Sequence, residues 1–242
     1  MREILEKVKN SVLDTLFPAT CIGCGQEGMY MCIKCEGFVS EAALICPACQ
    51  QSSFDGEKHY TCKSMYGLEG LVSVWEYEGL MKSLLHYVKY VGVTHSVEEI
   101  TKHTFKAVIK DKRRFGAFLS FLFSGDVFIT YVPMHKNKEK TRGFNQAAVF
   151  AREVAKLAGK EVCRTLEKIR DTKPQINLTK EERLHSVRET FELAVNFVGT
   201  DIKKIILIDD VWTTGATMKE CCRILKKSGV KEVWGFTIAR TP

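Results

Sequence analysis

Two adjacent carboxylates, Asp209 and Asp210, stand where an apolar run meets a loop of small hydroxyl residues. Residues 205–217 read Ile-Ile-Leu-Ile-Asp-Asp-Val-Trp-Thr-Thr-Gly-Ala-Thr. Carboxylates repel phosphate, so this pair suits ribose hydroxyls, or a magnesium ion held through its waters. Thr213, Thr214, Gly215, Ala216 and Thr217 place N–H and hydroxyl groups at the start of a helical pattern. A dianionic phosphate is favoured there. Gly215 lets the backbone approach the ligand closely. The block as a whole is suited to holding a phosphorylated ribose.

A second chemistry lies near the start of the chain. Seven of the ten cysteines fall between 21 and 62. They form Cys21-x-x-Cys24, Cys32-x-x-Cys35 and Cys46-x-x-Cys49, and Cys62 pairs in the same spacing with His59. A tight turn with two intervening residues puts both ligands on one tetrahedral metal, and two turns complete the shell. The simplest assignment is one zinc on Cys21, Cys24, Cys32 and Cys35, and one on Cys46, Cys49, His59 and Cys62, with a crossed pairing or a single occupied site as alternatives. A disulfide framework would require export. All four ligand positions of each site are filled by protein, so the metal is structural. Its binding would supply folding energy to a segment too poor in large apolar side chains to fold alone. Cys163, Cys221 and Cys222 read as ordinary buried thiols.

These groups need elements to position them. Ile205–Ile208 predicts a buried strand of a parallel sheet, and 218–228 a helix closed by Gly229. Upstream, 71–77 is β-rich, 79–90 helical, and 96–110 a second helix ending in Lys110-Asp-Lys-Arg-Arg114. The apolar stretch 115–132 is interrupted by Ser124, Gly125 and Asp126, so it reads as a helix end, a turn and strand 127–132 rather than a membrane span. A further helix is expected from Arg142 to about 157. The polar stretch 170–190, with Pro174, reads as a lid. Residues 2–16 form an amphipathic helix without the apolar core of a signal peptide, stopped by Pro18. The expected division is 1–65, helix and zinc ribbon module, and 66–242, an α/β domain.

Composition agrees with a globular chain. Of 242 residues, 45% are apolar and 27% charged, with a net charge of +7. A basic balance favours anionic partners such as phosphates or nucleic acid. Lys138, Lys140 and Arg142 make a basic run opposed by Glu139 alone, suited to clamping pyrophosphate or a nucleic-acid backbone. Phe144 suits either core packing or stacking on a base. The expected location is cytoplasmic.

The 205–217 block resembles the PRPP (phosphoribosyl pyrophosphate) loop of type I phosphoribosyltransferases. Tyr131-Val-Pro-Met-His-Lys136 and Arg142-Gly-Phe-Asn-Gln146 resemble signatures of the ComF competence family. So do Lys89-Tyr-Val-Gly92, Lys173-Pro-Gln175, the segment 183–191 and the double zinc ribbon. The resemblance runs in order from about 15 to 240. It implies the type I phosphoribosyltransferase fold, a mainly parallel sheet flanked by helices, with a flexible loop, a small hood and an N-terminal zinc ribbon. It implies Asp209 and Asp210 on the ribose 2- and 3-hydroxyls and Thr213 to Thr217 around the 5-phosphate, with Mg²⁺ accompanying PRPP. Met134, His135 and Lys136 would face pyrophosphate. Lys89, Arg142, Phe144, Asn145 and Gln146 would line the pocket or touch nucleic acid. Single-stranded DNA and other DNA-uptake proteins are the implied partners. Competing readings are a nucleobase-salvage transferase and a non-catalytic nucleic-acid-binding protein that retains the site. The sequence departs from the family pattern at His59, Val93, Met134, Ser186 and Trp212. Trp212 stands in place of an aliphatic residue, where it would narrow or cap the site.

Overall fold

The computed structural model of the chain describes residues 19–91, 94–171, 189–197 and 201–242. The helix expected at 2–16, the segment 173–175, Gly92, Val93, Ser186 and most of the expected lid lie outside them.

Four strands form one parallel sheet. They are β1 (Gly70–Glu76), β2 (Val127–Tyr131), β5 (Lys204–Trp212) and β6 (Glu232–Arg240), in the order β1-β6-β5-β2. The apolar run of β5 explains its place. Ile205 to Ile208 are fully buried, as a strand covered on both faces requires. β5 extends beyond the acids, since Val211 and Trp212 still pair with Ala239 and Arg240 of β6.

Helices cover both faces. α2 (Gly79–Val91), α3 (Thr94–Lys110), α4 (Lys112–Leu122) and α6 (Gln146–Ala158) pack their apolar sides on one core with Val72, Ile206 and Phe236. α7 (Ala216–Lys227) packs Met218, Cys221, Cys222 and Leu225 on the other, with Ile205 and Leu207. Cys221 and Cys222 are therefore the buried thiols expected, and Cys163 is half-buried beside Val162, which bridges to β2.

Two helix boundaries differ from expectation. The basic segment 110–114 is not one helix end. Asp111 accepts from the Arg114 N–H and starts α4, so the chain turns there. Arg142 does not open a helix. It ends a short helix, α5 (Lys136–Arg142), at Gly143, whose left-handed φ of 87° terminates the turn. Asn145 then caps α6.

β3 (Leu166–Lys168) and β4 (Phe191–Leu193) pair antiparallel as a small separate sheet. Their Leu166 and Phe191 are buried in the same cluster as Trp212 and Ala216, beside the 213–217 loop. The cysteine-rich segment, with its single-turn helix α1 (Ile33–Glu36), lies against the sheet edge. Glu41 bridges to Trp75 and Glu57 to Gly70 of β1. Glu99 of α3 accepts the N–H groups of Tyr30 and Met31, both at 2.8 Å. Among the described residues, no helix is long and apolar enough to cross a membrane.

Candidate functional site

Parallel pairing sets the site. β2 and β5 run side by side, with Tyr131 opposite Ile208. Their following segments, 132–136 and 209–217, therefore emerge at the same edge, the carboxyl end where open α/β sheets bind ligands.

Asp209 and Asp210 are half-buried there. Asp209 turns a carboxylate oxygen onto the N–H of Asp210 at 2.9 Å. Burial holds the Asp209 carboxyl up at about 8, and the charge of Asp210 adds to it, against Lys89 and Lys168. Lys89, from α2, reaches Asp210 at 2.9 Å. The charge of Asp210 raises the Lys89 ammonium above its ordinary value, against burial. The site is thus an acid pair with one cation attached and one carboxyl inclined to keep its proton. Hydroxyl donors or a cation would complete it.

The loop that follows is shaped by contact between Gly215 and Trp212. Gly215 has a φ of 72°, and a Cβ at that position would meet the indole of Trp212 at 2.2 Å. Trp212 is 2% exposed, so it does not stand at the loop entrance as expected. It lies beneath the loop and supports it. Its indole N–H is buried with no partner among the described residues, next to a cavity of about 20 Å³ lined also by Asp209, Thr213 and Thr217. Thr214 Oγ1 accepts from the Ala216 N–H at 3.3 Å. Ala216 begins α7, so the first-turn N–H groups of the helix lie at the end of the loop.

On the neighbouring loop, Met134 and His135 are half-buried and Lys136 is exposed. His135 caps α5 by accepting from the Asn137 N–H. Lys138 bonds Asp171 at 3.0 Å, so the basic run is opposed by Asp171 as well as Glu139. Phe144 is half-buried against the main core, which favours packing over stacking. Asn145 and Gln146 are buried at 5% and 4% exposure. Asn145 donates to the Val132 carbonyl at 3.1 Å and accepts from Ala147 N–H at 3.0 Å, so it ties the end of β2 to α6. Gln146 accepts from Arg142 at 2.8 Å. Both act through shape on the site edge rather than as an open contact surface.

Lys168 is a site residue that the sequence does not reveal. It lies on β3, and its amine is lowered by burial and by the charge of Lys138, against Asp171 and Asp209. It brings a further cation toward the acid pair. A lone lysine on a three-residue strand carries no pattern that would reveal this.

The cysteines gather in the expected sequence order. The ligand atoms of Cys21, Cys24, Cys32 and Cys35 all lie within 4.8 Å of one another, and so do those of Cys46, Cys49, His59 and Cys62. Tetrahedral zinc with sulfur at about 2.3 Å separates its ligands by about 3.8 Å. Cys24 and Cys32 sulfurs stand 3.7 Å apart, and Cys49 Sγ stands 3.4 Å from His59 Nδ1. His59 Nε2 lies 3.0 Å from the Ser52 carbonyl, which can only accept. That fixes the proton on Nε2 and leaves Nδ1 for metal. Burial raises the Cys21 and Cys46 thiols, but backbone N–H groups outweigh it and hold them at about 6 and 7. Cys35 is pushed to about 12, first by burial, and Cys62 to about 11, first by its bond to Cys49. Four sulfurs this close cannot all ionise without a cation between them. The residues therefore fit zinc, and the ten cysteines are free thiols rather than disulfides.

Residues 145–241 match the family described as "Phosphoribosyl transferase domain". This part of the chain is a phosphoribosyl transferase domain. That domain holds β5, the acid pair, the 213–217 loop, α7 and β6. Over longer spans the chain is similar to proteins of the ComF type. It is 24% identical to the DNA utilization protein YhgH of Salmonella typhi, over 87% of this chain and 90% of that one. It is 25% identical to competence protein ComFC of Streptococcus pneumoniae, over 89% and 82%. It is 31% identical to competence protein F of Haemophilus influenzae, over 45% and 48%, so that match spans about half of each chain. The ComF resemblance thus covers both the knuckles and the phosphoribosyl transferase domain.

Proposed function

We propose that the chain binds PRPP with Mg²⁺ at the acid pair and loop, and serves DNA uptake or use by handling single-stranded DNA. The observation that carries the first part is the apposition of Asp209–Asp210 with the Gly215 loop at the head of α7. Asp209 and Asp210 take the ribose hydroxyls, and the N–H groups of 213–217 take the terminal phosphate. Met134, His135 and Lys136 meet pyrophosphate, with Lys168 behind them. Magnesium, when bound with PRPP, would neutralise pyrophosphate charge.

In a transfer reaction, a nucleophile forms its bond to the anomeric carbon as the bond to pyrophosphate breaks. The acid pair stabilises positive charge on the ribose, and Lys136 and Lys168 stabilise the departing anion. Such chemistry rests on positioning, so it needs no strong general base. The zinc module of 1–65 works beside the 66–242 domain in a cytoplasmic protein. The DNA reading is supported by the names of the relatives and by α5, which has no buried residue and carries Lys136 and Lys140 exposed and Arg142 half-buried.

Calorimetric titration with PRPP tests the site. Binding should require Mg²⁺ and disappear in the Asp209→Asn/Asp210→Asn double variant. Equal affinity in wild type and variant would remove the acid pair from the ligand site. Pyrophosphate release, measured with and without single-stranded DNA, tests turnover.

A further inference from the structure

The second knuckle touches the phosphate loop. Its turn runs through Cys46, Pro47, Ala48, Cys49 and Gln50. It is closed by the Gln50 N–H on the Cys46 carbonyl at 2.8 Å and by the Cys46 N–H on the Gln51 carbonyl at 2.9 Å. Gln50 has a φ of 64°, an uncommon place for a non-glycine residue. That conformation puts its side chain across the gap between the two parts of the molecule. Gln50 Nε2 donates to the Thr214 carbonyl, 164 residues away, at 3.3 Å.

A second bond lies one turn further on. Lys219, in the first turn of α7, donates to the Ala48 carbonyl at 3.4 Å. The same ammonium stands 5.6 Å from the centre of the Trp212 ring, the ring on which Gly215 rests. The knuckle therefore grips the loop at Thr214 and at the helix that follows it. A cavity of about 710 Å³, with Pro47, Ala48, Ala216 and Lys219 among its walls, opens between the turn and α7. With that space beside them, turn and loop are joined by discrete bonds more than by a packed face.

Metal ligation and loop position share one short backbone. Ala48 and Gln50 flank Cys49, and Cys46 accepts the closing bond of the turn. A knuckle turn is held in shape by the metal its ligands share. We propose that the second zinc knuckle is an arm of the ribose-phosphate site, with Gln50 as a positioning residue that fixes the 213–217 loop for phosphate when Cys46, Cys49, His59 and Cys62 hold zinc. The loop is ordered before ligand arrives, so less ordering is left for binding to supply. The proposal rests on the phosphate-binding reading of the loop, and zinc would be a condition of phosphate affinity at a distance from the phosphate itself.

Gln50→Gly is the informative variant. Glycine accepts the left-handed backbone of the turn, so the amide is removed without straining the knuckle. Zinc content by elemental analysis should equal that of wild type. Hydrogen exchange of peptides covering 213–217 should be several-fold faster. Affinity for Mg²⁺–PRPP should fall about three- to tenfold, the range expected for one hydrogen bond. Removing zinc from the wild type with a chelator should speed exchange in the same peptides. Unchanged loop exchange in both Gln50→Gly and the chelated protein would overturn the proposal. If wild type binds no PRPP at all, the ribose-phosphate reading fails, and the exchange experiment alone still decides whether the knuckle holds the loop.

Discussion

Lys89 and Asp210 form an ion pair at 2.9 Å although 121 positions separate them in the chain. The lysine comes from the helix after β1 and the acid from the end of β5. Their pairing spans the sheet edge and joins the upstream helices to the phosphoribosyl transferase domain. Both side chains are mostly shielded from water.

Breaking this pair should destabilise the fold. Lys89→Met leaves Asp210 charged beside Asp209 with its nearest cation gone, a change of about 2 kcal/mol for a partly shielded pair. Thermal unfolding at pH 7.5 should show a Tm lower by about 5 °C. Lys89→Arg should retain most of the stability. An unaltered Tm in Lys89→Met would show that the pair contributes nothing.

Asp209 sets a pH dependence of opposite sign to the usual carboxylate. Its ordinary value is 3.8 and its folded value is raised to about 8, chiefly by burial. The folded chain therefore holds a proton that the unfolded chain releases in this window. Stability falls as pH rises from about 4 to 8, and below 4 both states are protonated. In Mg²⁺-free buffer, Asp209→Asn should raise Tm at pH 8.5 and leave it unchanged at pH 4. A stabilising effect of equal size at both pH values would point to packing instead.

Gly215→Ala should abolish phosphate binding, because its Cβ would stand inside the Trp212 ring. The double variant Gly215→Ala/Trp212→Leu should recover part of the affinity by opening space beneath the loop. Recovery will be incomplete, since the left-handed φ still disfavours alanine. Calorimetry with PRPP reads both. Full affinity in the single variant would contradict the close approach.

Zinc content should be two ions per chain. Cys32→Ser should reduce it to one, and Cys62→Ser should do the same from the other site. His59→Cys should retain two, because a thiolate at this spacing also completes a tetrahedral shell. Loss of both ions in Cys32→Ser would mean that the sites depend on one another.

The local blocks were readable in the linear chain because their parts are contiguous. The apolar run, the acids, the hydroxyl loop and the following helix lie within about twenty-five residues, and each knuckle within about seventeen. Long-range partners left no such trace. Nothing around Lys89 names Asp210, and nothing around Gln50 names Thr214. The burial of Trp212 is not legible in the chain, because an aromatic beside a glycine loop reads equally as a lid or as a floor. The helix break at Asp111 was hidden by a basic run, although Asp111 is a good cap. Asn145 and Gln146 looked like pocket residues by type, and their burial depends on how α6 meets β2.

Single-stranded DNA binding, where it occurs, should use α5. Charge removal at Lys136, Lys140 and Arg142 should weaken it and lower the salt slope by about two, at roughly 0.7 per phosphate released. PRPP affinity of the Lys140/Arg142 pair of substitutions should stay near wild type. A salt slope equal to that of wild type in the triple variant would move the strand elsewhere on the surface.

The place of β6 in the sheet bears on biosynthesis. It is the last strand of the sheet to leave the ribosome, and it fills the gap between β1 and β5. The knuckles close over short stretches of chain and can take up metal early. β1 waits for a neighbour that is translated about 160 residues later. During that interval the nascent chain carries a finished metal module and an open sheet, so premature termination would release a zinc-loaded fragment with an unpaired strand for proteases and chaperones to recognise.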